Sequence, residues 1–476
     1  MSPERRIARN TLFMLCGQAG QALCVLALWL LIARLLTPEA IGQYSLAVSL
    51  SAVFALVTKV GYEHLAIREV ARHREQAPSY LGRILTLKGA LALVGYMLLV
   101  VTVLAVGYGR GKASLIIVVG ATSFITTLVI ALEWCFQAFE RMEYQGGLKL
   151  LRGLSVLSLG AVVLLLGGGI MGVALVQLVT AGSFFAIIYF VVIRRFARPE
   201  WRMDWPAMGA MTKKAVPFGL GIFATVLLFN VDTIMLSHMQ GDVATGLYNL
   251  AYRLVDGLKL MPIAFASALY PSLSNAFKHE REALAPLVVR SWYFMVLLAV
   301  PAAVGTTMLS DRLIVFFFGA RYEAAGPVLA LIVWAGALLF VFSVLSTTFA
   351  AIDRQPTGAA LVFFGTGINV GLNLVFIPRW GAWGASLALV VAMFVISALG
   401  FVLIGRVLSI SQWGSPARYA SIATATALMA AGVWMVRGAN LGVVIAVGVL
   451  IYGVLIFATR GLRWTDLRAL MRTASG

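Results

Sequence analysis

An all-α polytopic membrane fold, with about fourteen spans in two six-span halves and a terminal pair, is what this 476-residue sequence predicts. Three observations predict it. The first is composition: 61% of residues are hydrophobic, 12% are charged and mean hydropathy is +0.94. Soluble domains carry roughly a quarter charged residues. The second is a one-sided placement of basic residues, and the third is an internal repeat.

Apolar runs of about 20 residues, the length a helix needs to cross a bilayer, recur from end to end. They place spans at 11–35, 41–60, 84–106, 113–137, 148–167, 170–193, 215–239, 244–270, 287–309, 324–350, 357–377, 383–405, 416–436 and 440–459. Most connections are short, so neighbours form antiparallel hairpins. Those at 61–83, 194–214 and 271–286 are longer, yet none is large enough for a soluble catalytic domain. No cleavable leader pattern precedes the first span, which is expected to act as the targeting element itself. Cys16, Cys24 and Cys135 fall within apolar runs, with no metal-ligand spacing and no disulfide framework.

The net charge of +18 invites a nucleic-acid reading, and its placement rejects it. Of the 37 lysines and arginines, twenty-six lie at the N-terminus, on every second connection after it and on the tail. Seven lie on the opposite connections, and Lys59, Lys88, Arg253 and Lys259 lie within spans. Basic connections stay in the cytoplasm, so both termini are expected there and the number of spans is even. The surplus is a topology signal that also favours anionic lipid heads.

The string Gly42-Gln-Tyr44-Ser-Leu46-Ala47 opens the second span, and Gly246-Leu-Tyr248-Asn-Leu250-Ala251 opens the eighth. Glu140-Arg141 answers to Asp353-Arg354, and Gly172-Val-Ala-Leu175 to Gly384-Ala-Ser-Leu387, at nearly the same offset. Three matches in order indicate duplicated halves. Each half has an even number of spans, so the copies insert with one orientation and are related by an axis along the membrane normal. The expected division is 1–200, 201–410 and a terminal helix pair with a basic tail, 411–476.

The eighth span carries the strongest functional signal. Arg253 lies roughly 14 Å in from Ala244 at about 1.5 Å per residue. A charge at that depth costs on the order of 2.5–3.5 kcal/mol on insertion scales. Asp256 is three residues from both Arg253 and Lys259 and is expected to pair well with one at a time, leaving a cation over. Tyr248 and Tyr252 share the face of Asp256. The structural alternative is an ion-pair network that locks two helices.

Other candidates are weaker. Asn230 and Asp232 interrupt the seventh span, and Glu133 the fourth; Asp232, Asp256 and Glu133 are candidates for proton or sodium coupling, against a plain interhelical carboxylate. Lys59, at the end of the second span, either faces a cavity or snorkels and pairs with Glu63. Pro262, Pro301 and Gly219/Gly221 are candidate bends. No nucleophile–base pair, metal cluster, Walker loop or dinucleotide fingerprint appears, so the chain is not expected to be an enzyme or to hold a cofactor.

The stretches RNTLFMLCGQ…IARLLTPEAIGQYSLAVSLSAVF…VGYEHLAIREVARH and KKAVPFGLGIFATVLLFNVDTIMLSHMQGDVATGLYNLAYRLVDGLKLMPIAFASALYPSLSNAF resemble Wzx-type polysaccharide or O-antigen flippases. These belong to the multidrug/oligosaccharidyl-lipid/polysaccharide exporter superfamily, and the resemblance covers roughly residues 10–410. It rests on the Gly-x-Tyr strings, Asp232 and Tyr270-Pro271-Ser272-Leu273. The resemblance implies two six-helix bundles about a cationic cavity. It implies an inner-membrane protein that moves undecaprenyl-diphosphate-linked oligosaccharide to the outer leaflet, with membrane lipids and polysaccharide polymerase machinery as partners. Arg253, Lys259, Lys59, Tyr248, Tyr252 and Asn230 are then the candidate substrate contacts. The alternative is an H+- or Na+-coupled drug or metabolite exporter of the same superfamily.

Overall fold

The computed structural model describes residues 3–201 and 204–462 and is helical nearly throughout, with no strand among the described residues. Eleven stretches are long and apolar enough to cross a membrane. Two of these exceed fifty residues, and each contains two helices that meet at one glycine. Gly241 (φ 83°) breaks Trp205–Leu258, and Gly381 (φ 55°) breaks Gln355–Val407. Both glycines hold backbone conformations that a Cβ would strain. The less apolar Pro416–Met435 completes the fourteen spans. The thiols of Cys16, Cys24 and Cys135 are free.

Two connections differ from expectation. Residues 61–83 contain a helix, Tyr62–Arg72, and a 3-10 turn, Arg74–Gln76. It packs Tyr62, Leu65, Ala66 and Val70 on one side while its arginines stay outside, an amphipathic pattern that an apolar-run reading passes over. Residues 271–286 are not a loop either. Helix Leu260–His279 runs on through Pro271, and Arg281–Met308 starts two residues later. Hydropathy marks where apolar residues stop, whereas a helix continues into polar surroundings as long as its backbone bonds do. Of the expected basic tail, Arg460 is described, and Arg463, Arg468 and Arg472 lie outside the described residues.

The duplication recurs in the backbone. Glu140 (φ 57°) and Asp353 (φ 59°) both adopt the left-handed conformation, which few residues other than glycine do. Each is followed by an arginine whose N–H closes the same turn: Arg141 to Phe136 O at 2.7 Å, and Arg354 to Phe349 O at 2.8 Å. Gly169 and Gly381, related by the same offset, have φ of 58° and 55°.

The chain falls into two compact units, Met1–Gly246 and Leu247–Gly476. Packing and duplication therefore divide the chain at different points, because the seventh span packs within the first unit. There Thr212 meets the Tyr62 hydroxyl at 3.0 Å, and Met211 joins the apolar cluster of Tyr62, Trp134 and Phe136. In the second unit, Tyr293 donates to Gly461 O at 2.7 Å and packs with Ile422 and Ile456, which seats the terminal pair on the ninth span.

Candidate functional site

In the second unit, the eighth span breaks at Lys259, the one turn residue between Trp205–Leu258 and Leu260–His279. Pro262 has no N–H to return to Leu258, and at the break the Lys259 N–H bonds three residues back, to Asp256 O at 3.2 Å. Asp256 corrects the one-partner expectation. Its Oδ2 lies 3.2 Å from Arg253 Nη1 and its Oδ1 2.8 Å from Lys259 Nζ, so one carboxylate serves two cations. The cluster keeps one net positive charge. Lys259 also donates to Tyr252 Oη at 2.5 Å and lies 4.0 Å from that ring's centre, and Tyr252 stacks on Tyr248 with centroids 6.0 Å apart. The four candidates Arg253, Asp256, Lys259 and Tyr252 thus form one group, with the buried Tyr248 behind it.

In the first unit, a cavity of about 280 Å3 brings Lys59 and Glu133 together with three residues that no sequence pattern marks as site residues: Lys88, Trp134 and Gln137. Helix Pro38–Phe54 tightens into a 3-10 turn at Ala55–Thr58, and Gly61 (φ 95°) reverses the chain. That break removes the i, i+4 relation expected between Lys59 and Glu63. Glu63 pairs instead with Lys88, whose side chain is 4% exposed. Removing one partner of a buried pair costs about 3–5 kcal/mol, so each holds the other in place. Glu133 accepts from Gln145 Nε2 at 3.1 Å and pairs with Lys149 at 3.4 Å, which gives it interhelical partners as well as a cavity wall.

A third group lies at the end of the spans away from the basic connections. Lys112 reaches Asp242 Oδ1 at 2.5 Å and Ser237 Oγ at 3.2 Å, and His238 Nε2 meets the Tyr108 hydroxyl at 2.9 Å. The two Gly-x-Tyr strings meet here. A Cβ at Gly42 would run into Asp242 O, and a Cβ at Gly246 into Pro38 O. Pro38 and Asp242 are themselves related by the repeat offset, so each copy's glycine receives the other copy's carbonyl. The motif repeats because the contact is reciprocal.

Asn230 bonds back to Val226 O at 2.8 Å within its own helix, and Asp232 is fully buried. Two fully buried amides in the eleventh span, Asn369 and Asn373, carry no signal in the sequence pattern; Asn373 donates to Asn369 Oδ1 at 3.1 Å. Among the described residues, no group of three or more acidic, histidine or cysteine side chains could hold a metal ion.

Sets of spanning helices, with ionised side chains gathered inside apolar runs, define a multi-pass membrane protein. Solved structures share this architecture: a lipid II flippase MurJ in an inward closed conformation (TM-score 0.74, 15% identity, 94% of this chain and 99% of that one). An inward-facing multidrug resistance MATE transporter of the MOP superfamily gives a TM-score of 0.69 at 15% identity, over 82% and 94%. The chain belongs to the family described as polysaccharide biosynthesis protein, whose model matches residues 7–277. A model described as lipid II flippase MurJ matches residues 147–454.

Among curated relatives, a probable low-salt glycan biosynthesis flippase of Haloferax volcanii is 24% identical over 230 residues, 47% of this chain and 48% of that one. The teichuronic acid biosynthesis protein TuaB of Bacillus subtilis is 28% identical over 229 residues, 46% and 44%. The chain thus spans about half the length of the curated relatives it matches. These families are transporters rather than catalysts.

Proposed function

We propose that the chain is a flippase that carries an undecaprenyl-diphosphate-linked oligosaccharide from the cytoplasmic to the outer leaflet of the inner membrane by alternating access. One observation carries the reading: Asp256 is a single carboxylate shared by Arg253 and Lys259 inside an apolar span. Two cations gathered around one carboxylate inside an apolar span make a charged site that an anionic ligand would stabilise. A diphosphate supplies the anion, with oxygens that accept charge-assisted hydrogen bonds from both side chains. Tyr252 stands beside them, backed by the buried Tyr248, with a hydroxyl that can donate to a sugar oxygen. A second observation concerns the tail. In the second unit, a cavity of about 280 Å3 is walled by Trp292, Trp334, Phe394 and Phe401 with almost no polar surface, which suits hydrocarbon.

The basic side of the protein is then cytoplasmic, with both termini there. The knot of Lys112, Asp242 and the reciprocal glycines becomes the outer gate, which opens to release the substrate. Asp232, Asp256 and Glu133 are the carboxylates through which an H+ or Na+ gradient acts, and the delivered glycan passes to polysaccharide polymerase machinery. The relatives named as glycan-biosynthesis flippases support this reading.

The alternative, a cation-coupled exporter, draws support from the MATE-like fold. The same experiment separates the two. Depleting the protein is expected to make lipid-linked oligosaccharide accumulate in the inner leaflet. If cells instead become sensitive to toxic organic cations while the lipid-linked pool stays level, the exporter reading replaces the flippase.

A further inference from the structure

The turn between the two helices of Gln355–Val407 carries a group of rings that the fold does not require. Phe376 and Trp380 have ring centroids 5.1 Å apart, and Trp380 meets Trp383 edge to face at 5.7 Å. Trp380 is 49% exposed and Trp383 40%, so indole surface stays open after the rings have met each other. Arg379, the next residue back in the chain, is exposed as well. Its Nη1 lies 3.4 Å from Val375 O, and no carboxylate among the described residues pairs with it.

The duplication supplies a control. Under the offset that relates Gly381 to Gly169, residues Arg379, Trp380 and Trp383 stand where the first copy has Gly167, Gly168 and Met171. The two turns share their left-handed glycine, at φ 58° and 55°. In both, the helix after the turn comes in on a second glycine. A Cβ there would strike Val163 Cγ1 at Gly172 and Phe376 O at Gly384. The first copy therefore closes its turn with no ring at all, and the indoles of the second copy serve something other than the turn.

Anchoring in the headgroup region is the ordinary use of a tryptophan at the end of a span. It accounts for a ring and leaves the cation out. Arg379 is one of the seven basic residues on the side where they are scarce, so it adds nothing to the orientation of the chain. Open indole faces with a guanidinium beside them match the parts of an acidic sugar. Its C–H faces pack on the rings, its hydroxyls accept from indole N–H groups, and its carboxylate or phosphate meets the guanidinium. An acyl chain would use the rings and leave Arg379 unmatched.

We propose that Phe376, Trp380, Trp383 and Arg379 form a docking platform for an acidic oligosaccharide, at the end of the spans away from the basic connections. The proposal deepens the flippase reading and rests on it for the source of the glycan, which is the lipid-linked product once it has crossed. A glycan held there is held from returning, so the platform acts on the release side of the cycle.

The test uses the full chain in nanodiscs and follows magnetisation transfer from the protein to a soluble tetrasaccharide of alternating glucuronate and N-acetylglucosamine. The neutral tetrasaccharide of N-acetylglucosamine is the comparison. Stacking reads the face of a sugar ring rather than one particular sugar, so the ring C–H protons of the acidic probe are expected to receive transfer. Trp380→Leu with Trp383→Leu keeps apolar bulk for the membrane and should abolish it, whereas Trp380→Phe with Trp383→Phe should keep part of it. Arg379→Gln should weaken binding of the acidic probe about tenfold, the worth of one charge-assisted contact, and leave the neutral probe unchanged. No transfer to the acidic probe, or equal transfer from the leucine variant, overturns the proposal and returns the rings to membrane anchoring. Accumulation of lipid-linked oligosaccharide on depletion tests the flippase reading on its own, so the two failures are distinct.

Discussion

Replacing Arg253 and Lys259 together by alanine is expected to reduce glycan export to near the level of a null strain while leaving the protein in the membrane. The two side chains share Asp256 at 3.2 and 2.8 Å, so the double change removes both cations that would meet a diphosphate. Each charge-assisted hydrogen bond is worth about 1.5–3 kcal/mol, or about 10- to 150-fold in rate if it is made as the substrate crosses. The single changes should each cost one such factor. The double change also strands the Asp256 carboxylate, so the triple variant with Asp256→Asn added is the control for insertion and folding. Asp256→Asn separates the roles: it removes the negative charge, keeps both cations, and is expected to tighten anion binding while slowing release. Export by the double variant at the native rate would return the cluster to the role of a helix lock.

The second large effect concerns Gly42 and Gly246. A Cβ at either position meets a backbone carbonyl, that of Asp242 or Pro38, and no rotamer change can move it aside. Overpacking of this kind costs typically about 1–3 kcal/mol per site, so each alanine shifts the balance away from this closed contact by about 5- to 150-fold. Because the contacts are reciprocal, either substitution should give the same phenotype. The readout is a cysteine at Ser45, a 2%-exposed position one residue after Tyr44, in a protein whose three native cysteines are serine. Gly42→Ala or Gly246→Ala should speed its labelling by a membrane-impermeant thiol reagent from outside at least about fivefold. Unchanged labelling in both would mean that the outer ends of these spans do not part.

Much of the fold was legible because hydropathy and charge asymmetry act over about twenty residues at a time. The repeat was legible for a stronger reason: Glu140 and Asp353 sit in the same unusual backbone state, and Gly42 and Gly246 in the same tight contact. The eighth-span cluster was legible because its members follow one another along one span, at spacings of three or four residues that set helical neighbours up to the break at Lys259. The first-unit cavity was not. Lys88 and Glu63 are 25 residues apart on different helices, and no periodicity relates them. Trp134 reads as ordinary core, since nothing in the sequence says that its N–H lacks a partner. The pairing of Lys59 with Glu63 failed because a 3-10 turn and Gly61 intervene, and a helical count cannot foresee either. Helix Tyr62–Arg72 was passed over because its few apolar residues line one side, with charges between them, and make no continuous run.

The central claim is that cations within the spans recognise an anionic, lipid-linked head as it crosses the membrane. Reconstituted vesicles test it most directly, by comparing the flipping of a fluorescent polyprenyl-diphosphate oligosaccharide with that of a neutral glycolipid bearing the same sugars and tail. The diphosphate compound should cross at least about ten times faster, the worth of one charge-assisted contact, and the preference should vanish in the Arg253→Ala, Lys259→Ala protein. Equal rates for the two compounds in the native protein would contradict the account.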